Sequence, residues 1–244
     1  MEPVITMPAL GDNYIYLCCY HRNDAFVVDP GESRIVFGAL DKHRLNLTDV
    51  LITHRHIDHT AGAEDLKKRT GCRVISGEKA EISLAGDTSI QAITTPGHTR
   101  DSVCYYVQPS VKHGGLLFTG DTLFIGGCGR PIGSDAQTLW YSLQKLTALP
   151  DDTFVYPGHD YTEENYEFAL TVLPDNTVIK QRLNEIQQAQ RQKLPTVPST
   201  ILQEKTTNVF LAAGTKEIKA ALNMPDAPDA EVFAELRRRK NIFG

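Results

Sequence analysis

The feature that most constrains this 244-residue chain is a cluster of three histidines and one aspartate in residues 53–59. The cluster follows directly after the apolar residues 50–52, and an apolar run that stops at polar residues is typical of a buried strand ending in a loop. Imidazole nitrogen and carboxylate oxygen are ligands that Zn(II) prefers, and Fe(II) and Mn(II) accept the same atoms. The sequence therefore predicts a metal site at the carboxyl end of a buried strand.

The spacing within the cluster indicates how its side chains are presented. His54 and His56 are two residues apart, so an extended backbone directs both to one side, and Asp58 continues this alternation. His59 departs from it, so we expect the chain to turn there. One segment thus offers more ligands than one tetrahedral ion needs, which favours two neighbouring ions. The alternative is a surface loop that is merely rich in histidine.

Three later strand ends each present one further side chain of a metal-binding type. Strands predicted at 93–95, 116–118 and 154–156 are each followed by a glycine and then by a histidine or an aspartate. A single such residue is usually structural, but the same arrangement occurs repeatedly in this chain. Five histidines and two aspartates suit two ions bridged by one carboxylate. The predicted ligands are His54, His56, Asp58, His59, His98, Asp121 and His159.

Alternating helices and strands predict a layered α/β domain for the first part of the chain. Asp29 ends the second strand, and it either orients a ligand histidine or serves as a turn residue before Pro30. Strands are expected at 14–20 and 25–28, which form a hairpin around the polar turn at 21–24. Further strands are expected at 50–52, 71–75 and 103–107, and helices at 35–43 and 63–69.

The character of the sequence changes after residue 173. Helices are expected at 178–191 and 230–239, with proline-rich connections and no strand pattern. We therefore expect two domains, with residues 1–173 carrying the metal site. Residues 174–244 would form a small helical domain that closes over the site.

Composition and charge exclude several classes of function. The net charge is −5, and the basic cluster at 237–240 is expected to be the solvated end of a helix, so a nucleic-acid partner is not predicted. The five cysteines include no Cys-x-x-Cys pair, which argues against a disulfide framework and favours a reducing compartment. The N-terminal residues do not resemble a signal peptide, and no apolar run approaches the about 18 residues of a membrane span. We expect a cytoplasmic monomer without a membrane partner.

The cluster at 53–59, together with the later Gly-His, Gly-Asp-Thr and Gly-His motifs, resembles the metallo-β-lactamase superfamily. The motifs at 10–14, 120–124, 126–130 and 158–161 are similar to those of glyoxalase II, or hydroxyacylglutathione hydrolase, and so are 194–200 and 208–211 in the tail. The resemblance covers essentially the whole chain. It implies a four-layer αβ/βα sandwich with a dinuclear site at one edge, and a C-terminal helical domain that helps to bind substrate.

The resemblance also implies how the ligands divide between the two ions. Asp121 would bridge them, and Asp58 and Asp121 would be the catalytic carboxylates. The first ion would be held by His54, His56 and His98, and the second by Asp58, His59 and His159.

The resemblance implies that Arg130 and Tyr161 contact the glutathione moiety of the substrate. The chain departs from the family pattern at two positions that hold glutathione in the family. Ile132 stands where an aromatic residue is usual, and Ala212 stands where an arginine is common. These departures leave the identity of the substrate less constrained than that of the metal ligands.

The predicted reaction is hydrolysis of S-(2-hydroxyacyl)glutathione, such as S-D-lactoylglutathione, to a 2-hydroxy acid (D-lactate) and glutathione. Two divalent ions, with zinc favoured and iron or manganese as competitors, would acidify a bridging water. The resulting hydroxide would attack the thioester carbonyl, with Asp58 orienting it and accepting its proton.

Three alternatives stay open from the sequence. An iron-dependent persulfide (sulfur) dioxygenase of the same superfamily would use only His54, His98 and Asp121, and would consume oxygen with glutathione persulfide. A metallohydrolase of another thioester, a lactone or a phosphodiester would keep all seven ligands, although a nuclease would need a basic surface. A non-catalytic relative would normally have lost ligands.

Overall fold

The computed structural model describes residues 4–77, 81–85, 88–109 and 114–243 of the chain. Residues 1–3, on which the expected absence of a signal peptide partly rests, lie outside these ranges. In chain order the strands are β1 (Val4–Ala9), β2 (Asn13–His21), β3 (Asp24–Val28), β4 (Asn46–Ile52), β5 (Arg73–Ser76), β6 (Glu81–Ser83), β7 (Ser89–Thr94), β8 (Val103–Val107), β9 (Leu116–Gly120), β10 (Leu123–Phe124), β11 (Gly127–Cys128), β12 (Phe154–Pro157) and β13 (Ser199–Thr200). The helices are α1 (Ser33–His43), α2 (Ile57–Thr60), α3 (Ala63–Thr70), α4 (Ala136–Thr147), α5 (Thr162–Val172), α6 (Thr177–Arg191), α7 (Ile201–Thr207), α8 (Lys216–Ala221) and α9 (Asp229–Asn241).

Two mixed sheets form the centre of the molecule. The first has the order β1-β2-β3-β4-β5, with antiparallel pairing up to β3 and parallel pairing from β3 to β5. The second has the order β13-β12-β9-β8-β7-β6, in which β9 and β12 are parallel. Strands β10 and β11 form a separate hairpin. The predicted hairpin of β2 and β3 is confirmed.

Strand β2 shows why the chain folds into layers. Tyr16 faces the second sheet, where its ring lies 5.6 Å from that of Phe118. Ile15 and Leu17 point the other way, into a second hydrophobic cluster that includes Leu66 of α3. Side chains alternate along a strand, so a strand that is apolar on both faces has to be covered on both faces. The two sheets, flanked by helices, confirm the predicted αβ/βα sandwich.

The tail shares the main hydrophobic core with the rest of the chain. Helix α6 packs against α5, and α9 packs against α4, where Trp140 and Phe233 lie 5.5 Å apart. The expectation that the tail contains no strand is wrong. β13 pairs with the edge of β12, and backbone pairing at an edge needs no apolar alternation in the added strand. The domain boundary after residue 173 stays a prediction.

The basic cluster at 237–240 is not fully solvated, contrary to expectation. Arg237 and Lys240 are buried, with 6% and 8% of their surface exposed. They are three residues apart, so they share one face of α9 with the apolar residues of the core. Arg237 donates a hydrogen bond to the carbonyl of Cys128, and Lys240 pairs with Glu164.

The remaining sequence expectations concern cysteines and membrane spans. The structure describes all five cysteines, and none of them forms a disulfide. Within the described ranges, the helices lack the length and apolar character that crossing a membrane requires.

Candidate metal centre

Strand β4 carries the chain to the predicted metal ligands. The strand ends at Ile52 and His54 lies two residues later. Helix α2 begins just after His56, which keeps an extended backbone. The expectation that Asp58 continues the strand alternation is therefore wrong, because the chain turns at Ile57 rather than at His59. This helical turn brings the side chains of Asp58 and His59 together, with Oδ2 of Asp58 lying 3.4 Å from Nε2 of His59.

The first group of donor atoms comes from three histidines and Asp121. Nδ1 of His56 lies 3.0 Å from Nε2 of His54 and 3.1 Å from Nε2 of His98. Nε2 of His98 is also 3.5 Å from Oδ2 of Asp121. Each residue offers one donor atom, and these atoms all lie within 4.8 Å of one another.

The second group of donor atoms lies beside the first. Nε2 of His59 and Nε2 of His159 are 3.2 Å apart, and each is 3.4 Å from Oδ2 of Asp58. Asp121 lies between the groups, with Oδ1 at 3.4 Å from His59 and Oδ2 at 3.4 Å from His159. Oδ1 of Asp121 is buried and has no hydrogen-bond partner in the described part of the chain. The structure thus brings all seven predicted side chains together.

Hydrogen bonds outside the two groups set the orientation of the imidazoles. Nδ1–H of His59 donates to Asp29, that of His98 to the carbonyl of Arg130, and that of His159 to Asp12, at 2.9, 2.8 and 3.0 Å. A ring that donates through Nδ1 keeps its lone pair on Nε2, which here points into the centre. The three rings are therefore prepared to bind cations.

Asp29 fills the supporting role that the sequence left open. Its Oδ1 accepts from the backbone N–H of Thr53 at 2.8 Å, and its Oδ2 accepts from the Thr53 hydroxyl and from His59. Asp29 also lies near His54 and His59. Both of its oxygens already accept hydrogen bonds, so we do not assign these three residues as a third metal site. Its own carbonyl also accepts from the N–H of Gly31, so Asp29 orients a histidine and forms the turn as well.

The electrostatics of the centre suit divalent cations. Burial lowers the pKa of His54 to about 4 and also lowers that of His98, so both rings are neutral and able to act as ligands. Burial opposes protonation of His59, but the charge of Asp29 and contacts with Asp58 and Asp121 outweigh it and raise the His59 pKa. Burial favours a neutral Asp121, but its contact with His159 and the charge of His59 lower its pKa to about 2. Asp121 is therefore an anion at neutral pH although it is buried, and a bound metal ion would balance its negative charge.

The predicted substrate contacts lie beside this centre. Tyr161 stacks on His159, with ring centroids 5.1 Å apart and an interplanar angle of 7°. Burial and the nearby Asp12 raise the pKa of Tyr161 to about 12, and the positive charge of Arg130 opposes the rise. The side chain of Arg130 is exposed, so Arg130 and Tyr161 share one accessible region.

The two positions that depart from the family pattern lie in different surroundings. Ile132 is 61% exposed, and its N–H donates to the carbonyl of His98 at 3.0 Å, so it lies beside the first donor group. Ala212 is half-buried and packs against the main core.

Sequence reasoning missed two residues that support the centre. Asn13 donates to Oδ2 of Asp58 at 3.0 Å, and Asp12 accepts from His159. Asp12 stands in the turn before β2 and Asn13 is the first residue of β2, both within the motif at 10–14. The only sign of them in the sequence was an aspartate followed by an asparagine at the start of a strand. Asp and Asn are common in turns of every kind, so this pair does not by itself indicate a metal site.

Comparisons with known proteins cover the whole of this arrangement. Residues 9–87 and 77–159 match the metallo-beta-lactamase superfamily, and residues 160–243 match the hydroxyacylglutathione hydrolase C-terminus. The hydroxyacylglutathione hydrolase of Rhodopseudomonas palustris is 40% identical over 250 residues, which cover 96% of each chain. That of Cereibacter sphaeroides is 41% identical over 256 residues, covering 98% of each. The chain belongs to the hydroxyacylglutathione hydrolase family.

Solved structures of low sequence identity show how far the fold of this hydroxyacylglutathione hydrolase family member is shared. ETHE1 from Myxococcus xanthus is 24% identical with a TM-score of 0.64, and 99% of each chain is covered. The BLEG-1 B3 metallo-beta-lactamase is 21% identical with a TM-score of 0.65, covering 85% of this chain and 99% of its own. At these identities the likeness shows the fold alone. Both the predicted family and the predicted fold are confirmed.

Proposed function

We propose that this chain hydrolyses S-(2-hydroxyacyl)glutathione thioesters, with S-D-lactoylglutathione as the preferred substrate and D-lactate and glutathione as products. The observation that carries the proposal is the convergence of seven donor side chains into two groups that share Asp121. It is supported by membership of the hydroxyacylglutathione hydrolase family along nearly the whole chain. The same proposal includes a cytoplasmic monomer that acts on a free small molecule.

The donor set fits two divalent cations, and we propose Zn(II) for both. Imidazole nitrogens and carboxylate oxygens in groups of about four suit zinc, while iron and manganese accept the same donors. His54, His56 and His98 would hold the first ion and Asp58, His59 and His159 the second, with Asp121 between them. When bound, the ions would polarise the thioester carbonyl and acidify water for attack at neutral pH.

Asp58 and Asp121 have different tasks in this proposal. Contacts with His59 and a hydrogen bond from Asn13 hold the pKa of Asp58 well below its usual value, so Asp58 is an anion at neutral pH. About a third of its side chain is exposed, which lets it accept a hydrogen bond from the attacking water and orient it. Asp121 is almost fully buried and keeps the two donor groups at a fixed separation.

Arg130 and Tyr161 would bind the glutathione moiety. The guanidinium of Arg130 is exposed beside the centre and suits a glutathione carboxylate, while Tyr161 is held in place by its stack on His159. Attack of water on the carbonyl carbon breaks the C–S bond, and glutathione leaves as a thiolate. The pKa of a thiol is about 8.5, so a thiolate is a good leaving group and the mechanism requires no acid to protonate the sulfur.

The test measures hydrolysis of S-D-lactoylglutathione by zinc-reconstituted protein, monitored as the loss of thioester absorbance. Protein treated with a chelator is the control. Fast turnover that requires metal supports the proposal. The matching coenzyme A thioester controls for recognition of the glutathione moiety. Absent turnover of every thioester, with oxygen uptake on glutathione persulfide, would contradict the proposal and favour the dioxygenase alternative.

A further inference from the structure

A fully buried carboxylate in the tail has no part in the proposed chemistry. Glu204 of α7 has no exposed surface and accepts three hydrogen bonds. The Ser199 hydroxyl donates to Oε1 at 2.6 Å, and the N–H of Gly126 and the Asn208 amide donate to Oε2 at 2.9 and 3.0 Å. Burying a carboxylate is costly unless its oxygens are satisfied, so this arrangement requires a specific partner. The partner that lies outside the tail is the N–H of Gly126, in the turn of the β10–β11 hairpin.

The hairpin is held through its backbone by side chains that come from three helices. Asn165 donates to the carbonyl of Ile125 at 3.1 Å, and Asn208 donates to the carbonyl of Gly127 at 3.0 Å. Arg237 of α9 donates to the carbonyl of Cys128 at 2.7 Å. The contact is close, since a Cβ atom at Gly127 would lie 2.4 Å from Nδ2 of Asn165.

The residues after the hairpin reach the first donor group. A Cβ atom at Gly129 would lie 1.9 Å from the carbonyl oxygen of Asp121 and 3.2 Å from Nδ1 of His98, so the chain passes directly against both. The next carbonyl, that of Arg130, accepts the Nδ1–H of His98 at 2.8 Å. The position of the hairpin therefore sets the orientation of the His98 ring.

We propose that Glu204 is a positioning residue of the metal centre. It holds the hairpin so that the Arg130 carbonyl keeps Nε2 of His98 directed at the first ion. Without the Glu204 carboxylate, the Gly126 N–H loses its buried acceptor and the Asn208 amide keeps only backbone carbonyls of the hairpin, so the hairpin shifts to satisfy the Gly126 N–H elsewhere. This inference rests on the metal site of the proposed function.

The test measures cobalt binding to the full-length metal-free chain by visible absorption, with chelator competition for the affinities. Glu204→Ala should weaken binding of one of the two ions by about tenfold and change its absorption spectrum. The hairpin shift displaces the Arg130 carbonyl from His98, and loss of a direct partner of a ligand histidine is worth about 10- to 100-fold in metal affinity. Glu204→Gln should stay within about threefold of the native chain. Its amide oxygen can accept from Gly126 and Asn208, and its NH2 group can donate to the Ser199 hydroxyl.

The control for lost stability is Ile186→Ala, which truncates a buried side chain of α6, a helix that packs against α5. It should lower the melting temperature and leave both cobalt affinities unchanged. Native affinities in Glu204→Ala, or equal losses in Ile186→Ala or Glu204→Gln, would overturn the inference. If Glu204→Ala does not fold, Glu204→Asp keeps the charge on a shorter side chain and should lower the affinity for one ion at least threefold.

The native chain distinguishes failure of the metal site from failure of the inference. If it binds fewer than two cobalt ions, the metal site and the inference are both wrong. If it binds two ions and the Glu204 variant binds them equally well, only the inference is wrong.

Discussion

The donor loop at 53–59 and the hairpin segment at 123–130 both serve the metal centre, but they are held in opposite ways. The loop is attached to the buried strand β4, and its main support, Asp29, stands at the end of the neighbouring strand β3. The hairpin has two-residue strands, and it is held by side chains that lie 40 to 109 residues from the atoms they contact, most of them in the tail. One region is placed by the sheet and the other by the tail.

Different parts of the chain therefore supply the metal ligands and orient them. The donor loop supplies four of the seven donors and inherits the rigidity of the sheet. The hairpin segment supplies no donor atom, yet its Arg130 carbonyl orients His98 and its Arg130 side chain is exposed. Changes in the loop should therefore affect metal binding first, and changes in the hairpin side chains should affect substrate binding.

Asp121→Ala removes the residue on which the two regions converge and should have the largest effect. Both ions should be lost and kcat/KM should fall by about a thousandfold or more, since metal catalysis is worth several kcal/mol and each 1.4 kcal/mol is tenfold. Elemental analysis and thioester hydrolysis measure the two quantities. Asp152→Ala, at an exposed position, is the control. Two bound ions with full turnover would show that Asp121 is not the bridge.

Asp29→Asn tests the support of the donor loop. The amide nitrogen cannot accept the Nδ1–H of His59, so the affinity of the second ion should fall by about 10- to 100-fold while the first ion is retained. Zinc competition with a chelator measures the difference. The exposed Asp41→Asn should bind both ions normally. An equal loss at both ions would mean that Asp29 supports the whole sheet edge rather than one histidine.

Arg130→Ala tests the hairpin side chain while leaving its backbone carbonyl in place. KM for S-D-lactoylglutathione should rise by about tenfold with kcat and metal content unchanged, because a charge-assisted hydrogen bond to the substrate is worth about 1.5 kcal/mol or more. Arg34→Ala, an exposed arginine of α1, is the matched control. An unchanged KM would place the glutathione moiety elsewhere.

Glu204→Gln should have the smallest effect, visible only in how stability depends on pH. Burial raises the pKa of Glu204 against the lowering effect of its hydrogen bonds, so the folded chain binds the proton more tightly than the unfolded chain. The contribution of Glu204 to stability is therefore complete below the unfolded pKa of about 4.3 and is lost as pH rises through the folded pKa.

Glu204→Gln should remove this decline. The free energy of unfolding of the native chain should fall relative to the variant above about pH 4.3, by no more than about 1.4 kcal/mol per pH unit, since one proton is involved. Urea unfolding at several pH values measures the slope. A native chain that gains stability over the variant in this range would show that the Glu204 pKa is lowered.

The residue pattern was enough to predict seven side chains of metal-binding type that the fold brings together, the hairpin of β2 and β3, and the layered fold. These features are local, because a buried strand is visible as an apolar run and its carboxyl end as the polar residues that follow. His98, Asp121 and His159 follow β7, β9 and β12, which run in the same direction in the second sheet, so their ends meet at one sheet edge. His54 follows β4 of the first sheet and joins them because the two sheets pack together. The course of the chain between His56 and His59 was less certain, because a short segment of this kind can be extended or helical.

The contacts of Asp29, Asn13, Glu204 and Arg237 arise only when distant parts of the chain pack together. In the sequence, Glu204 and Arg237 are charged residues of polar helices, and such residues usually face solvent. Packing of α7 and α9 against the main core turned these side chains inward, where desolvation obliges each to find a hydrogen-bond partner. A partner that is distant in the chain leaves no trace in the local pattern, and so the tail's hold on the hairpin became visible only in the folded molecule.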